Sequence, residues 1–360
     1  MKAHLLCLIV GSLLCAGCTY LKNLKPLPVD YDPITIKRGE AQKSVELYYS
    51  GAAGFCITYR GQSILHDPFL TRIPFFGQFK NQQNSVPQIN RYLDSARLSR
   101  ANPPQLILGG HTHHDHMYDT PYIFYQLASP IGPYFMGTES MRDIMQHWDP
   151  DSFGEHQNRI KTFTRLYSPS DSSETLAWHY LPDSSIRILP IESTHAPHLC
   201  TGQTFFKGQP RLEEAGSLAR ASSWRACNSV AYVIDFLGPM GEKEVRIYIQ
   251  SSAPDKGKAI PPDSLKDFDI AILTTASFHL VEGHPEDILN AITPKLTILS
   301  HWETIFQELD NLADKQKPLF STDIGKFVSQ VKKVVESEEN EVKKLQWILP
   351  NPGVRITYKF

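Results

Sequence analysis

The alternation of apolar and polar positions reads as two hairpin-like strands first and mixed strands and helices afterwards. Val45 to Tyr49 and Gly54 to Tyr59 have strand composition, and Arg60-Gly61 makes a turn into a third strand, Ser63 to His66, which Asp67-Pro68 breaks. Phe69 to Pro104 reads as loop-rich. Leu106 to Leu108 is a short apolar strand ending at Gly109-Gly110. The pattern then predicts a helix over Pro121 to Ala128, a strand over Tyr134 to Met136 and a helix over Glu139 to Trp148. Pro150 to Thr175 is polar, lacks a clear period and reads as loop. The second half repeats the strand logic at Ile186 to Ile191, Val230 to Phe236, Val245 to Ile249, Ile270 to Leu273 and Leu296 to Leu299. Helices fit Pro285 to Ile292 and Thr322 to Glu336, the latter with Ile324, Phe327, Val331, Val334 and Val335 at helical spacing. Two comparable halves of this kind suggest a sheet-on-sheet core with helices outside. No low-complexity linker divides them, so residues 43–360 are read as one domain.

The one continuous apolar run, Leu5 to Leu14, follows Met1-Lys2-Ala3-His4 and precedes Cys15-Ala16-Gly17-Cys18. A basic start, an apolar core and small residues before a cysteine make residues 1–17 a secretory signal, and the Ala-Gly-Cys ending resembles a bacterial lipobox with Cys15 where Leu is usual. Cys18 would then carry lipid, residues 18–42 would form a tether, and Thr19 after it, rather than Asp, implies the outer membrane. An ordinary cleaved signal peptide is the alternative. Elsewhere no run approaches the ~18 residues a spanning helix needs. Charge narrows the partners: 36 Lys plus Arg against 38 Asp plus Glu leaves a net charge of −2, which does not suit nucleic acid. At 360 residues and 41% hydrophobic content the chain is also too long for a disulfide-stapled mini-fold. Beyond Cys18, the exported part keeps Cys56, Cys200 and Cys227. Cys200 and Cys227 bracket a polar segment, and either they pair, adding ~3 kcal/mol in the chain-entropy model, or they are separate thiols. Cys56, inside Phe55-Cys56-Ile57, reads as a small core residue.

The most specific chemistry is His111-Thr112-His113-His114-Asp115-His116, directly after a strand, where side chains on a loop can converge. Imidazole and carboxylate are the donors that zinc-type cations accept, and so many of them buried without a cation would cost stability. A solvated His-rich loop is the plainer reading, but it leaves the other histidines unexplained.

This pattern resembles the metallo-β-lactamase superfamily, whose signature is His-x-His-x-Asp-His after a strand, and the resemblance runs in order along nearly all of the exported chain. Gly51 to Leu70 is similar to that family's opening hairpin, with Asp67 at its early Asp. Ile191 to His195 is similar to the strand-end His, and Ser300-His301-Trp302-Glu303 to the late strand that ends in the last His ligand. His301-Trp302-x-Thr304-x-Phe306 and Asp67-Pro68 look most like the branch with ascorbate-phosphate lactonase and N-acylphosphatidylethanolamine phospholipase D. The resemblance implies an α/β fold, a metallo-β-lactamase-like αββα four-layer sandwich. It also implies a divalent metal, first of all Zn with Mn or Fe as alternatives, in one or two ions. His111, His113 and His195 would hold the first, while Asp115, His116 and His301 hold or flank the second. Bound metal would supply hydroxide at neutral pH to cleave a phosphodiester, ester or lactone, with Asp115 orienting the nucleophile or taking its proton.

One ligand departs from the pattern. After Val245 to Ile249 the family has Gly-Asp-Thr, whose Asp bridges two metals, but here the chain reads Gln250-Ser251-Ser252-Ala253, with Ser252 in the Asp register. Asp255 compensates only if the loop bends back. The alternative is therefore a metal-binding but inert envelope lipoprotein that binds a ligand or partner; a redox role on the same scaffold lacks a flavin or second redox motif. His114, if the loop is extended, points away from its neighbours toward a supporting or surface position. His198, His279 and His284 are loop or core histidines by default, although His198 and His279 adjoin strand ends that bear ligands. The aromatic residues from Phe69 to Phe79, with Tyr118, either cap the core or, if exposed, favour a lipophilic substrate. Nothing in the sequence indicates the oligomeric state.

Overall fold

The protein is described by a computed structural model covering residues 34–37, 43–128, 132–170, 176–198, 206–212, 217–307, 317–319, 322–337 and 345–360. Along the chain the strands are β1 (Ile34–Lys37), β2 (Ser44–Gly51), β3 (Gly54–Tyr59), β4 (Gln62–His66), β5 (Leu106–Leu108), β6 (Tyr134–Gly137), β7 (Ile160–Thr162), β8 (His179–Tyr180), β9 (Ile186–Ser193), β10 (Ser229–Leu237), β11 (Lys243–Gln250), β12 (Ile270–Thr274), β13 (Leu296–Ser300), β14 (Gln346–Ile348) and β15 (Arg355–Lys359). They form two sheets, β1-β15-β2-β3-β4-β5-β6-β7 and β14-β13-β12-β11-β10-β9-β8.

Period-two alternation sorts each strand's side chains between two cores. In β3, Phe55 and Ile57 point between the sheets and meet Ile188, Tyr232, Ile234 and Ile247 of the second sheet. Cys56 points the other way, with Leu65, Ile107 and Phe135, onto the helices Val86–Ser95, Thr120–Leu127 and Glu139–Trp148. It is the small core residue expected, and burial pushes its thiol up to about 12. Helices Glu286–Ile292 and Ile324–Val335 cover the outer face of the second sheet through Ile288, Phe327 and Val331. The result is the αββα sandwich. The register of the second sheet is pinned far from the strand ends that carry the histidines. There Asp235 of β10 lies opposite Arg187 of β9 and Arg246 of β11 and bonds both, at 2.9 and 2.7 Å.

The pattern underestimates four regions. The segment expected as loop before Pro104 contains helix Val86–Ser95, which opens on Val86-Pro87 and buries Ile89, Tyr92 and Leu93. Proline in the first turn starts a helix rather than ending one. The loop expected from Pro150 contains helix Pro150–His156, capped by Asp149 through a 3.0 Å bond from the Ser152 N–H, and then β7. Ile34–Lys37, inside the expected tether, is an edge strand parallel to β15. β8, β14 and β15 are too short or too mixed to stand out alone and exist through their neighbours. Among the described residues, no helix is long and apolar enough to cross a membrane. Cys18 and the expected signal lie outside the described residues.

Candidate metal centre

The candidate side chains leave the carboxyl ends of strands at one edge of the sandwich, where main-chain geometry frees them to converge. Asp67 follows β4, His111 to His116 follow β5, His195 follows β9, Ser251 and Ser252 follow β11, and His301 follows β13. The two sheets are tied there by Val230 N–H donating to Gly110 O at 2.8 Å and by the Tyr232 hydroxyl on Gly109 O. Gly110 has no alternative: a Cβ there would lie 1.5 Å from Ser251 Oγ and 2.8 Å from Asp67 Oδ2.

The histidine cluster is not an extended loop. His113 is extended (φ −67, ψ 155), and His114 to Met117 then make a single helical turn closed by Met117 N–H to His113 O at 3.0 Å. This rotates Asp115 and His116 inward and sends His114 against Phe69, ring to ring at 5.8 Å. His114 is therefore buried rather than at the surface, for a helical turn does not alternate sides as an extended strand does.

Three overlapping donor sets result: His111, His113 and His195; Asp67, His111 and His116; and Asp115, His116 and His301. His111 Nε2 lies 3.2 Å from His113 Nδ1, which lies 3.1 Å from His195 Nε2. His116 Nε2 lies 3.3 Å from His301 Nε2, and Asp115 Oδ2 is 3.4 Å from His301 and 3.6 Å from His116. Imidazole nitrogens that face each other so closely repel unless something sits between them. Ligands about 2.1 Å from a tetrahedral cation lie about 3.4 Å apart, the spacing found here. Two outward nitrogens are held as such sites require, His195 Nδ1 donating to Ala196 O at 2.7 Å and His116 Nδ1 to Asp67 Oδ2 at 2.8 Å, whereas those of His111 and His301 are buried without a hydrogen-bond partner. The residues present thus fit a divalent cation. The sets that end in His195 and His301 abut, with the His111 and His116 rings 3.8 Å apart, and the Asp67 carboxylate groups with one ring from each of them.

Charge states agree with that chemistry. Burial, reinforced by neighbouring imidazoles, pushes His111 and His195 well below the ordinary histidine range and His113 down to about 3, so these rings are neutral donors. Burial alone would raise Asp115 and Asp67; His116 and the other histidines around them outweigh it and keep both carboxyls below the usual range. His116 goes the other way: burial opposes its charge, yet Asp115 and Asp67 outweigh burial and raise its pKa above the ordinary histidine value.

The other candidates are placed as follows. Asp67 also accepts from Gly110 N–H (2.6 Å) and Ser251 Oγ (2.5 Å), so it buttresses His116. Ser252 Oγ accepts the Ala196 N–H at 3.1 Å, beside His195. Asp255 does not bend back: it is exposed, its N–H donates to Thr194 Oγ1, and it joins none of the donor sets. His198 lies over the first set, its ring 5.0 Å from His195 and 5.6 Å from His113. His279 is half-buried against Phe278, outside the sets, and His284 lies beneath the second sheet's strand ends, 2.9 Å from Thr274 O. Cys227 is a half-buried thiol 3.6 Å from Thr112 Oγ1; Cys200, and with it the expected pair, lies outside the described residues.

A supporting layer escaped the sequence reading. Glu303 accepts from Ala52 N–H (2.6 Å), the Tyr49 hydroxyl (2.8 Å) and Arg72 Nη2 (3.2 Å), and Tyr49 in turn accepts the His301 N–H at 2.9 Å. The Arg72 and Glu303 side chains are each 1% exposed. Gly51 (φ +96) makes room, since a Cβ there would meet Arg72 Nη2 at 2.0 Å. Asp119 accepts from Leu70 N–H (2.6 Å), Thr71 N–H (2.7 Å) and Asn84 Nδ2 (2.8 Å), fastening the segment after Asp67 to the histidine turn. The available signal was position: Glu303 stands two residues after His301 and Asp119 three after His116.

Two sheets packed face to face with helices on both outer faces make the αββα sandwich that the sequence resemblance implies. Among solved structures the chain is similar to Igni18, a metallo hydrolase of the archaeon Ignicoccus hospitalis, at 14% identity over 88% of this chain and 99% of that one (TM-score 0.50). Similar too are the metallo-β-lactamase fold protein YhfI of Bacillus subtilis (10%; 86% and 98%; 0.42) and CmlA, a diiron β-hydroxylase of Streptomyces venezuelae (12%; 90% and 55%; 0.46). No family profile matches the chain, and no curated protein matches it in sequence.

Proposed function

We propose that this protein is an exported, lipid-anchored, metal-dependent hydrolase acting on a phosphodiester, ester or lactone. The convergence of seven donors into three overlapping three-membered sets carries this reading. A divalent cation, zinc first, bound at such a site lowers the pKa of water toward ~7 and polarises the bond to be cleaved. His111, His113 and His195 would hold one ion and Asp115, His116 and His301 the other. Asp115, ionised and at the junction of the sets, orients the attacking water or takes its proton. His198, over the first set and with its pKa pushed by burial down to about 4, would contact the substrate or its leaving group. The fold shared with a metallo hydrolase supports the class of activity. The short motifs around Asp67 and His301 favour the lactonase and phospholipase branch, and Ala-Gly-Cys18 supports anchoring at the outer membrane of a bacterial envelope.

Elemental analysis of the purified protein, with hydrolysis of a generic bis-phosphodiester and a lactone, tests this. His113→Ala should lose metal, whereas Asp115→Ala should keep at least one ion and lose turnover by orders of magnitude. Activity that survives both changes rules out a metal-centred mechanism. Cys18→Ser should leave the membrane fraction; continued membrane association would remove the lipobox reading. The neutral Ser252 in the register of a bridging carboxylate favours a second reading, a metal-binding envelope protein without turnover, which metal content without any hydrolysis would identify.

A further inference from the structure

The turn Phe75–Phe79 puts three aromatic rings into solvent: Phe75 is 43%, Phe76 73% and Phe79 57% exposed, while Phe69, Leu70 and Ile73 just before them are buried. Other exposed large apolar side chains, such as Tyr180 and Met240, stand in other segments. This turn is held rigidly, with Gln78 buried, Gln82 Nε2 donating to Gly77 O at 3.1 Å and Gln82 N–H to Ala219 O at 2.7 Å. Rings from two other segments extend the face, Phe306 at 5.4 Å from Phe75 and Phe206 at 6.2 Å from Phe79. Phe306 follows His301 by five residues, so the face borders the metal centre.

The exposed charge next to the rings is positive. Residues 68–93, 206–212 and 217–228 contain no Asp or Glu, Glu303 in the Phe306 segment is buried on Arg72, and exposed Lys80 and Lys207 directly follow the touching pair Phe79 and Phe206, with Asp94 farther along the helix Val86–Ser95. Glu213 and Glu214 lie outside the described residues. Topology adds a third point. β1 runs parallel to β15 and opposite to β2, which ends at Gly51 beside the centre, so the chain enters β1 from that same end. Residues 19–33 could span up to about 50 Å between Cys18 and β1.

We propose that the face of Phe75, Phe76 and Phe79 docks on a lipid surface with anionic headgroups, the rings entering the apolar boundary and Lys80 and Lys207 meeting phosphates. This deepens the anchored-hydrolase reading, on which it rests: docking would turn the mouth of the centre toward the bilayer, where a lipid-derived substrate resides. The test uses the full chain carrying Cys18→Ser, so that acylation does not contribute, in flotation with phosphatidylcholine vesicles with and without phosphatidylglycerol. Flotation with the anionic vesicles is expected. The Phe75→Ser, Phe76→Ser, Phe79→Ser combination should weaken it at least roughly tenfold, Phe76→Ser alone should weaken it measurably with an unchanged Tm, and Lys80→Gln or Lys207→Gln should each cost about fivefold on anionic vesicles. No flotation of the starting protein, or equal flotation of the triple variant, overturns the proposal. So does a loss of dimer in sedimentation velocity on the triple change, which would assign the face to a second copy. Metal content and hydrolysis are read separately, so vesicle binding without turnover sinks the enzyme reading and leaves docking intact.

Discussion

At the scale of single residues the informative position is Ser252. A neutral hydroxyl stands in the register of a bridging carboxylate, with its oxygen on the Ala196 N–H and the neighbouring His195 in the first donor set. Without an anion at that position, two cations so close together repel more strongly, and one of the sets ending in His195 and His301 should hold its ion much more tightly than the other. Elemental analysis should therefore give nearer one than two tightly held ions per chain, and Ser252→Asp should raise the content toward two. An unchanged content in that variant would show that the register assigned to Ser252 is wrong, since Asp255 is exposed and joins none of the sets.

Among elements, the His301 loop depends on a buried network that links β2, the segment after β4 and the segment after β13. Arg72, Glu303 and Tyr49 share it, and Tyr49 fixes the His301 N–H while His301 itself takes a left-handed φ of 55. Arg72→Ala leaves Glu303 buried without its partner, and breaking a buried pair in this way costs about 3–5 kcal/mol. Chemical denaturation should show that loss, and Arg72→Met with Glu303→Gln should recover part of it. A single Arg72→Ala change that leaves stability untouched would mean that the pair is replaced by solvent. The sequence reading reached the strands in this region because apolar alternation is a local signal, and it reached the histidines because their spacing is local too. Arg72 and Glu303 stand far apart in the chain, and only packing brings them together. Helix Val86–Ser95 was legible in the spacing of Ile89, Tyr92 and Leu93 but lay inside a polar stretch read as loop-rich, and β15 was recognisable only beside β2.

For the whole molecule, buried neutral histidines set the response to acid. Burial depresses His113 to about 3 and His284 to about 4, and it lowers His66, His111, His114 and His195 as well. Each binds a proton less readily folded than unfolded. The stability each contributes is complete above the unfolded value of about 6.5 and is lost as pH falls toward the folded value, at up to about 1.4 kcal/mol per pH unit per group. His116, raised by Asp115 and Asp67, contributes in the opposite sense, with stability present below 6.5 and lost as pH rises through its folded pKa. Six groups outweigh one, so the Tm of the metal-free protein should fall steadily from neutral pH to about pH 5, before carboxylates titrate. A flat Tm across that window would mean that these rings are hydrated.

Two of the donor sets take two members from the turn after β5 and one from the second sheet, His195 or His301, whereas Asp67, His111 and His116 all follow strands of the first. The sets with His195 and His301 do not exist in a half-made sandwich. Under the export proposed above, the chain would cross a membrane before the two sheets meet, so the sets that use His195 and His301 would take their metal from the ions at the destination rather than from those where the chain was synthesised. The same sequence expressed without Leu5–Leu14, folding in the cytoplasm, should come away with a different metal.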